Sequence, residues 1–294
     1  MHRSVAAIAL MLVSTLSLLP QVARGDDPLW VGVLENVDGG DFLSPAMKLP
    51  HVRVAFAKQG TDWIAASTSI PGTIKWTVVF DGKALGTITS AAFASAAYGD
   101  LNTQTLTGDV PRNIFVSNGA ATFDYGVRAK SRPLVAVSEP NSQDPEGWKP
   151  TTLSSKERQR AVKAFREKVQ SSERCDQPEQ QPIHWVPYAD ASIRLVKAYR
   201  SKIGTVILGL SLDDKGANCG FFDDETFFDY WFVLRDSGPV KLLGSQMMPV
   251  DAVDLDNSGT SAWIFLTSRG EDHFGYELFY EGFAKNVSFS WAYH

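Results

Sequence analysis

Near the end of the chain, Asp254-Leu255-Asp256-Asn257-Ser258-Gly259 sets oxygen-bearing side chains at alternate positions ahead of a glycine. With that D-x-D-x-[DNS]-G spacing the oxygens can converge on one hard cation such as Ca2+, while the glycine makes the sharp bend. A second acidic group, Asp213-Asp214, Asp223-Asp224-Glu225 and Asp229, stands among Phe221, Phe222, Phe227, Phe228, Tyr230 and Trp231. Carboxylates beside aromatic rings are what a sugar-binding or glycoside-cleaving site uses, because rings stack on sugar faces and paired acids move protons. Asp223, Asp224, Glu225 and Trp231 are therefore the candidate ligand surface. The competing reading is a solvated acidic turn that precedes a buried aromatic strand.

The aspartate loop resembles the calcium-binding strand-loop-strand of FG-GAP and VCBS-type repeats, found in secreted bacterial proteins and integrin-like propellers. The resemblance covers Val253 to about Leu266. It implies Asp254, Asp256 and Ser258 as side-chain ligands of Ca2+, Gly259 as the bend and Thr260 as a backbone carbonyl donor. The chain departs from that pattern at Ala262, where those loops place an acid, and carries the loop once. Two carboxylates make a weak site, since ligand charge sets affinity. A metal-free turn held by aspartate side chains on its own backbone is the alternative. The run Ala262-Trp263-Ile264-Phe265-Leu266 that follows is of strand type, which separates the loop from an EF-hand.

Other chemistry is not spelled out. The chain contains no G-x-S-x-G, no H-E-x-x-H, no phosphate-binding loop and no dinucleotide fingerprint, so no catalytic residue is assigned. His51, His184, His273 and His294 stand alone in the sequence, as surface or hydrogen-bonded structural groups usually do. Asn286-Val287-Ser288 has the form of an N-glycosylation acceptor.

The basic start Met1-His2-Arg3, the apolar run Val5 to Leu19 and the small residues Ala23-Arg24-Gly25 predict a signal peptide over 1–25, cleaved before Asp26. Such a leader implies a secreted or periplasmic protein with no membrane insertion after cleavage. The chain carries a formal charge of −5, and the leader removes two arginines and no acid, so the exported part is more acidic still. That balance argues against nucleic acid, which calls for a basic stripe. In an oxidising compartment Cys175 and Cys219 are expected to pair, closing a loop worth about 4 kcal/mol on the chain-entropy model, with two separate buried thiols as the alternative.

The elements that must hold these residues are mostly strands. Ile74 to Phe80 alternates, Asp81-Gly82 is a strong two-residue turn signal, and Leu85 to Ile88 returns. Leu29 to Leu34, Val52 to Phe56, Ala121 to Tyr125, Leu134 to Val137, Ile193 to Tyr199, Thr205 to Leu210, Phe227 to Leu234, Trp263 to Thr267, Tyr276 to Tyr280 and Val287 to Trp291 read likewise. The segment from Ser90 to Asn118 has no clear pattern, and the proline-rich Glu139 to Pro150 reads as an exposed connection. Ser154-Ser155-Lys156-Glu157 is a capping box opening the one credible helix, with Ala161, Val162, Phe165 and Val169 on a single face.

About sixteen short strands exceed what one open sheet holds. A mainly β fold follows, as a propeller of about five blades or as a two-sheet sandwich, with one domain over 26–294 and a helical insertion at about 141–190. Two functions remain. One is an exported, non-enzymatic binding module with a protein or glycan partner and a weak or structural Ca2+ loop. The other is a secreted carbohydrate-active hydrolase using the Asp213 to Asp229 region.

Overall fold

The computed structural model describes residues 28–35, 50–67, 69–92, 102–108, 114, 133–138, 143–170, 172–174, 185–213, 228–268 and 273–292. Within them the chain is mainly β, in antiparallel sheets, with one α-helix. Three larger sheets and the helix stack as successive layers.

The first layer is a closed hydrogen-bonded ring of six strands. It consists of β1 (Trp30–Glu35), β2 (His51–Gln59), β4 (Thr73–Phe80), β5 (Lys83–Ala92), β6 (Thr103–Thr107) and β7 (Leu134–Val137), with β3 (Asp62–Ala65) added beside β2. Closure comes from β1, which pairs with β2 on one side and β7 on the other. Strand alternation sends successive residues to opposite faces. Trp30 and Leu34 thus join Val52, Val54, Trp76, Val78 and Ala136 in one cluster, while Val31 and Val33 join Val79, Val135 and Val137 in another. The first cluster encloses a polar relay, in which Trp76 Nε1 donates to Ser90 Oγ at 2.6 Å and Ser90 Oγ donates to Gln104 Oε1 at 2.6 Å. The Asp81-Gly82 turn forms as the dipeptide predicts, with φ of 52° and 65°, the mirror-image turn that matches strand twist. Strands β5 and β6 also give order to the beginning of the segment that lacked a pattern.

The central sheet is a four-strand meander of β15 (Met247–Val253), β16 (Ala262–Ser268), β17 (His273–Tyr280) and β18 (Lys285–Ala292). Both faces of β16 are covered over Ala262 to Phe265, which is why that stretch reads as an unbroken apolar run. Val253, Ala262, Ile264, Tyr276, Leu278 and Trp291 pack on the ring, whereas Met247, Trp263, Phe265 and Phe279 pack on the next sheet. Pro249 obscures β15 in the sequence. It sits on the edge strand at a register shift between Pro249 and Asp251, a place where a strand tolerates proline.

The outer sheet orders β14 (Lys241–Ser245), β13 (Tyr230–Leu234), β12 (Val206–Leu212), β11 (Ile193–Arg200) and β8 (Lys149–Pro150). Its far face carries α1 (Ser155–Lys168), whose Ala161, Ala164 and Phe165 are buried against Leu208, Phe232 and neighbouring side chains. Both halves of the capping box are formed: the Glu157 amide donates to Ser154 Oγ and the Ser154 amide donates to the Glu157 carboxylate. A short pair, β9 (Ser172–Arg174) and β10 (Trp185–Pro187), follows the helix.

In the stretch expected to be an exposed connection, Gln143, Pro145, Lys149 and Pro150 are exposed, but Asp144 and Trp148 between them anchor it to the layers. Asp144 accepts from the amides of Gly147 and Trp148 at 2.9 and 2.7 Å and from Ser261 Oγ at 2.6 Å. Trp148 is buried and meets Trp263 edge to face, with ring centroids 4.9 Å apart. The aspartate and tryptophan override the local proline signal, because a buried indole outweighs the turn preference of its neighbours. Ala121 to Tyr125, Cys175 and Cys219 lie outside the described residues.

Candidate functional site

The aspartate loop joins β15 to β16, so its ends are set by two strands of the central sheet. Its conformation follows from local chemistry. Asn257 and Gly259 take positive φ, 56° and 81°, which Asn tolerates and glycine adopts freely. The turn they make points successive amides at the first aspartate. Asp254 Oδ1 accepts from the Ser258 amide at 3.0 Å and the Asp256 amide at 3.3 Å, and Asp254 Oδ2 accepts from the Gly259 amide at 2.7 Å. Asp256 Oδ1 accepts from the Ser258 amide at 3.3 Å. The hydroxyls of Ser258 and Thr260 bond each other at 3.0 Å.

The second carboxyl oxygen of Asp256 meets Lys58 Nζ, which arrives from β2 in the ring. Both side chains are partly buried. Burial pushes the Asp256 carboxyl up, and the Lys58 ammonium and Ser258 bonds outweigh it, so its pKa falls below the usual carboxylate range. The ammonium thereby supplies positive charge beside the oxygens that the loop resemblance assigns to Ca2+.

A calcium ion at the loop would have to share its oxygens with donors already bonded to them. That ion takes six to eight oxygens, with carboxylates meeting most of its charge. Here the two carboxylates are engaged by amides and by Lys58. Among the described residues no three or more His, Cys, Asp or Glu side chains gather in a metal-holding group.

Beside the loop lies a cleft of about 270 Å3 between the ring and the central sheet. Lys58, Thr61, Trp63, Thr260, Tyr280 and Glu281 contribute to its walls. At its edge Lys285 Nζ bridges Asp62 at 2.7 Å and Glu281 at 2.9 Å. The Lys285 hydrogen bond holds the Asp62 carboxyl below its ordinary range, and the same carboxylates raise the Lys285 ammonium.

A second charged group is sealed in the same interface. Glu35 on β1 accepts from Arg53 Nε at 2.9 Å and from the Tyr276 hydroxyl at 2.7 Å, and bonds His51 Nε2 at 2.8 Å. The Arg53 guanidinium lies 4.1 Å from the Trp291 ring centroid. Burial pushes the Glu35 carboxyl up, but Arg53 and His51 together overcome this and hold it at about 2. His51, isolated in the sequence, is thus a hydrogen-bonded interior group facing its cross-strand neighbour Glu35.

The second acidic cluster is only partly described. Asp223, Asp224 and Glu225 lie outside the described residues. Trp231 is not displayed to ligand: it is buried between the outer and central sheets, and its Nε1 donates to the Met247 carbonyl at 2.7 Å. Strand alternation explains the placement, since Trp231 and Val233 face the central sheet while Phe232 faces the helix. Asp229 stays near the surface, its carboxyl pushed up by partial burial against the opposing effect of Arg194.

Lys58, Arg53 and Glu35 carry no local motif. Each gains its role from a partner on another strand, so spacing along the chain holds no signal for them. No family model, no curated protein and no solved structure matches this chain.

Proposed function

We propose that the chain is an exported, non-enzymatic binding module whose aspartate loop is a structural clasp, with Lys58 in the charge role of a metal. The observation that carries this reading is the Lys58 to Asp256 ion pair, which joins the ring to the central sheet at the border of the 270 Å3 cleft. A loop closed by its own amides and an internal ammonium is pre-organised, and pre-organised loops bind with less entropic cost. The cleft it frames offers hydroxyl, carboxylate and aromatic groups to a protein or glycan partner. Face-to-face stacking of the sheets supports a packed-sheet architecture over radial blades, which keeps such clefts at layer edges.

Glycan and peptide arrays probed with the parent chain and with Thr61→Trp, which obstructs the cleft from an exposed position, test the reading. Saturable binding by the parent that the variant loses is expected. Binding that survives the obstruction, or turnover of a glycoside by the parent, would overturn it.

The hydrolase reading would use Asp229 as the general acid, a role that partial burial of its carboxyl favours. Loss of glycoside turnover in Asp229→Asn would favour it.

A further inference from the structure

A separate groove opens where the outer sheet stops short of the central one. It has a volume of about 610 Å3 and is bordered by Ser245 and Gln246 at the turn after β14, by Thr267 on β16, and by Glu277, Asn286 and Ser288. The side chains follow from register. Glu277 pairs with Phe265 on one side and Ser288 on the other, so it lies on the face that carries Phe265 and Phe279 toward the outer sheet. Where that sheet ends, the aromatic lining gives way to a carboxylate, hydroxyls and an amide.

Glu277 is only 7% exposed. One of its oxygens accepts from Asn286 Nδ2 and the other from Ser288 Oγ, each at 2.5 Å. Both donors are neutral, and no basic side chain among the described residues pairs with this carboxylate. An ionised carboxylate has about four acceptor positions, so each oxygen keeps one after these two bonds. Burying an anion is costly unless a cation repays it. The groove therefore sets an oriented carboxylate, bonded to two neutral donors, beside room for a side-chain-sized ligand.

We infer that this groove binds a guanidinium group, with Glu277 receiving its two parallel N–H donors and the polar rim accepting others. A planar fork matches two carboxylate oxygens that each retain one acceptor position, which a single-point ammonium does not. The acidic net charge of the chain favours approach of such a cation. The inference deepens the binding-module reading, and rests on it for its purpose, by naming a ligand class at a site apart from the aspartate loop.

The probe is N-acetyl-arginine amide, titrated into the full folded chain by calorimetry or followed by backbone amide resonances of β17 and β18. The lysine and glutamine counterparts are run beside it. Saturable binding of the arginine compound is expected, weakened about tenfold or more in Glu277→Gln, as loss of a charge-assisted bidentate pair requires. Ser245→Arg, which lends a guanidinium from the groove's own edge, is expected to abolish binding without lowering the melting temperature, so a folding defect in the first variant does not mask the answer. An arginine-containing peptide that binds more tightly than the amide would identify a protein side chain as the source, and equal affinity a free guanidinium compound. No saturable binding of the arginine compound, or equal binding of all three probes, would overturn the inference. Glycoside turnover by the parent would instead strike the binding-module reading and leave this titration as measured.

Discussion

Lys58 and Asp256, 198 positions apart in the chain, form an ion pair that fastens β2 of the ring to the loop between β15 and β16. The loop bonds satisfy Asp254 locally, whereas Asp256 depends on a residue from another layer. This division makes the clasp separable by mutation.

Lys58→Met is expected to destabilise the fold by about 1–3 kcal/mol, between the exposed and buried limits for breaking an ion pair, read from urea unfolding. Calcium is expected to leave the melting temperature of the parent unchanged and to raise that of Lys58→Met, whose Asp256 carboxylate has lost its internal cation. An equal calcium shift in both proteins would contradict a structural lysine.

Acid should weaken the fold through Glu35. Its folded pKa of about 2 lies below the ordinary 4.5, so the stabilisation is complete above about pH 4.5 and disappears as the pH falls toward 2. Glu35→Gln should cost about 3–5 kcal/mol at neutral pH, because it leaves Arg53 buried with its carboxylate partner gone, and it should flatten the acid limb of a stability-against-pH curve. An unchanged limb in the variant would place the acid sensitivity elsewhere.

Trp148→Ala is expected to lose about 3–5 kcal/mol and the near-ultraviolet dichroism of the Trp148 and Trp263 pair, as for a buried aromatic in a packed core. A loss below 1 kcal/mol would return the stretch from Gln143 to Pro150 to the status of a linker.

Ser154→Ala removes half of the capping box and should cost about 1 kcal/mol. Glu157→Gln should have a further consequence. Its carboxylate also holds Arg200 on β11 at 2.9 Å, so the variant loosens the helix from the outer sheet as well as at its own end. Faster amide exchange in α1 than in Ser154→Ala would show this second effect.

The amino-acid sequence by itself determined the features whose causes are local. Alternation placed most strands, Asp81-Gly82 made its turn, Ser154 and Glu157 started the helix, and the aspartates of the loop bent their own backbone. Each needs only neighbours within a few residues, where spacing is visible. Tertiary structure alone decided which charges meet and which rings are hidden. Lys58 closes the clasp, Glu35 gathers Arg53, His51 and Tyr276, Trp231 turns inward, and Glu277 is left at a groove, because sheet order and layer coverage bring together residues whose separation along the chain carries no periodic signal.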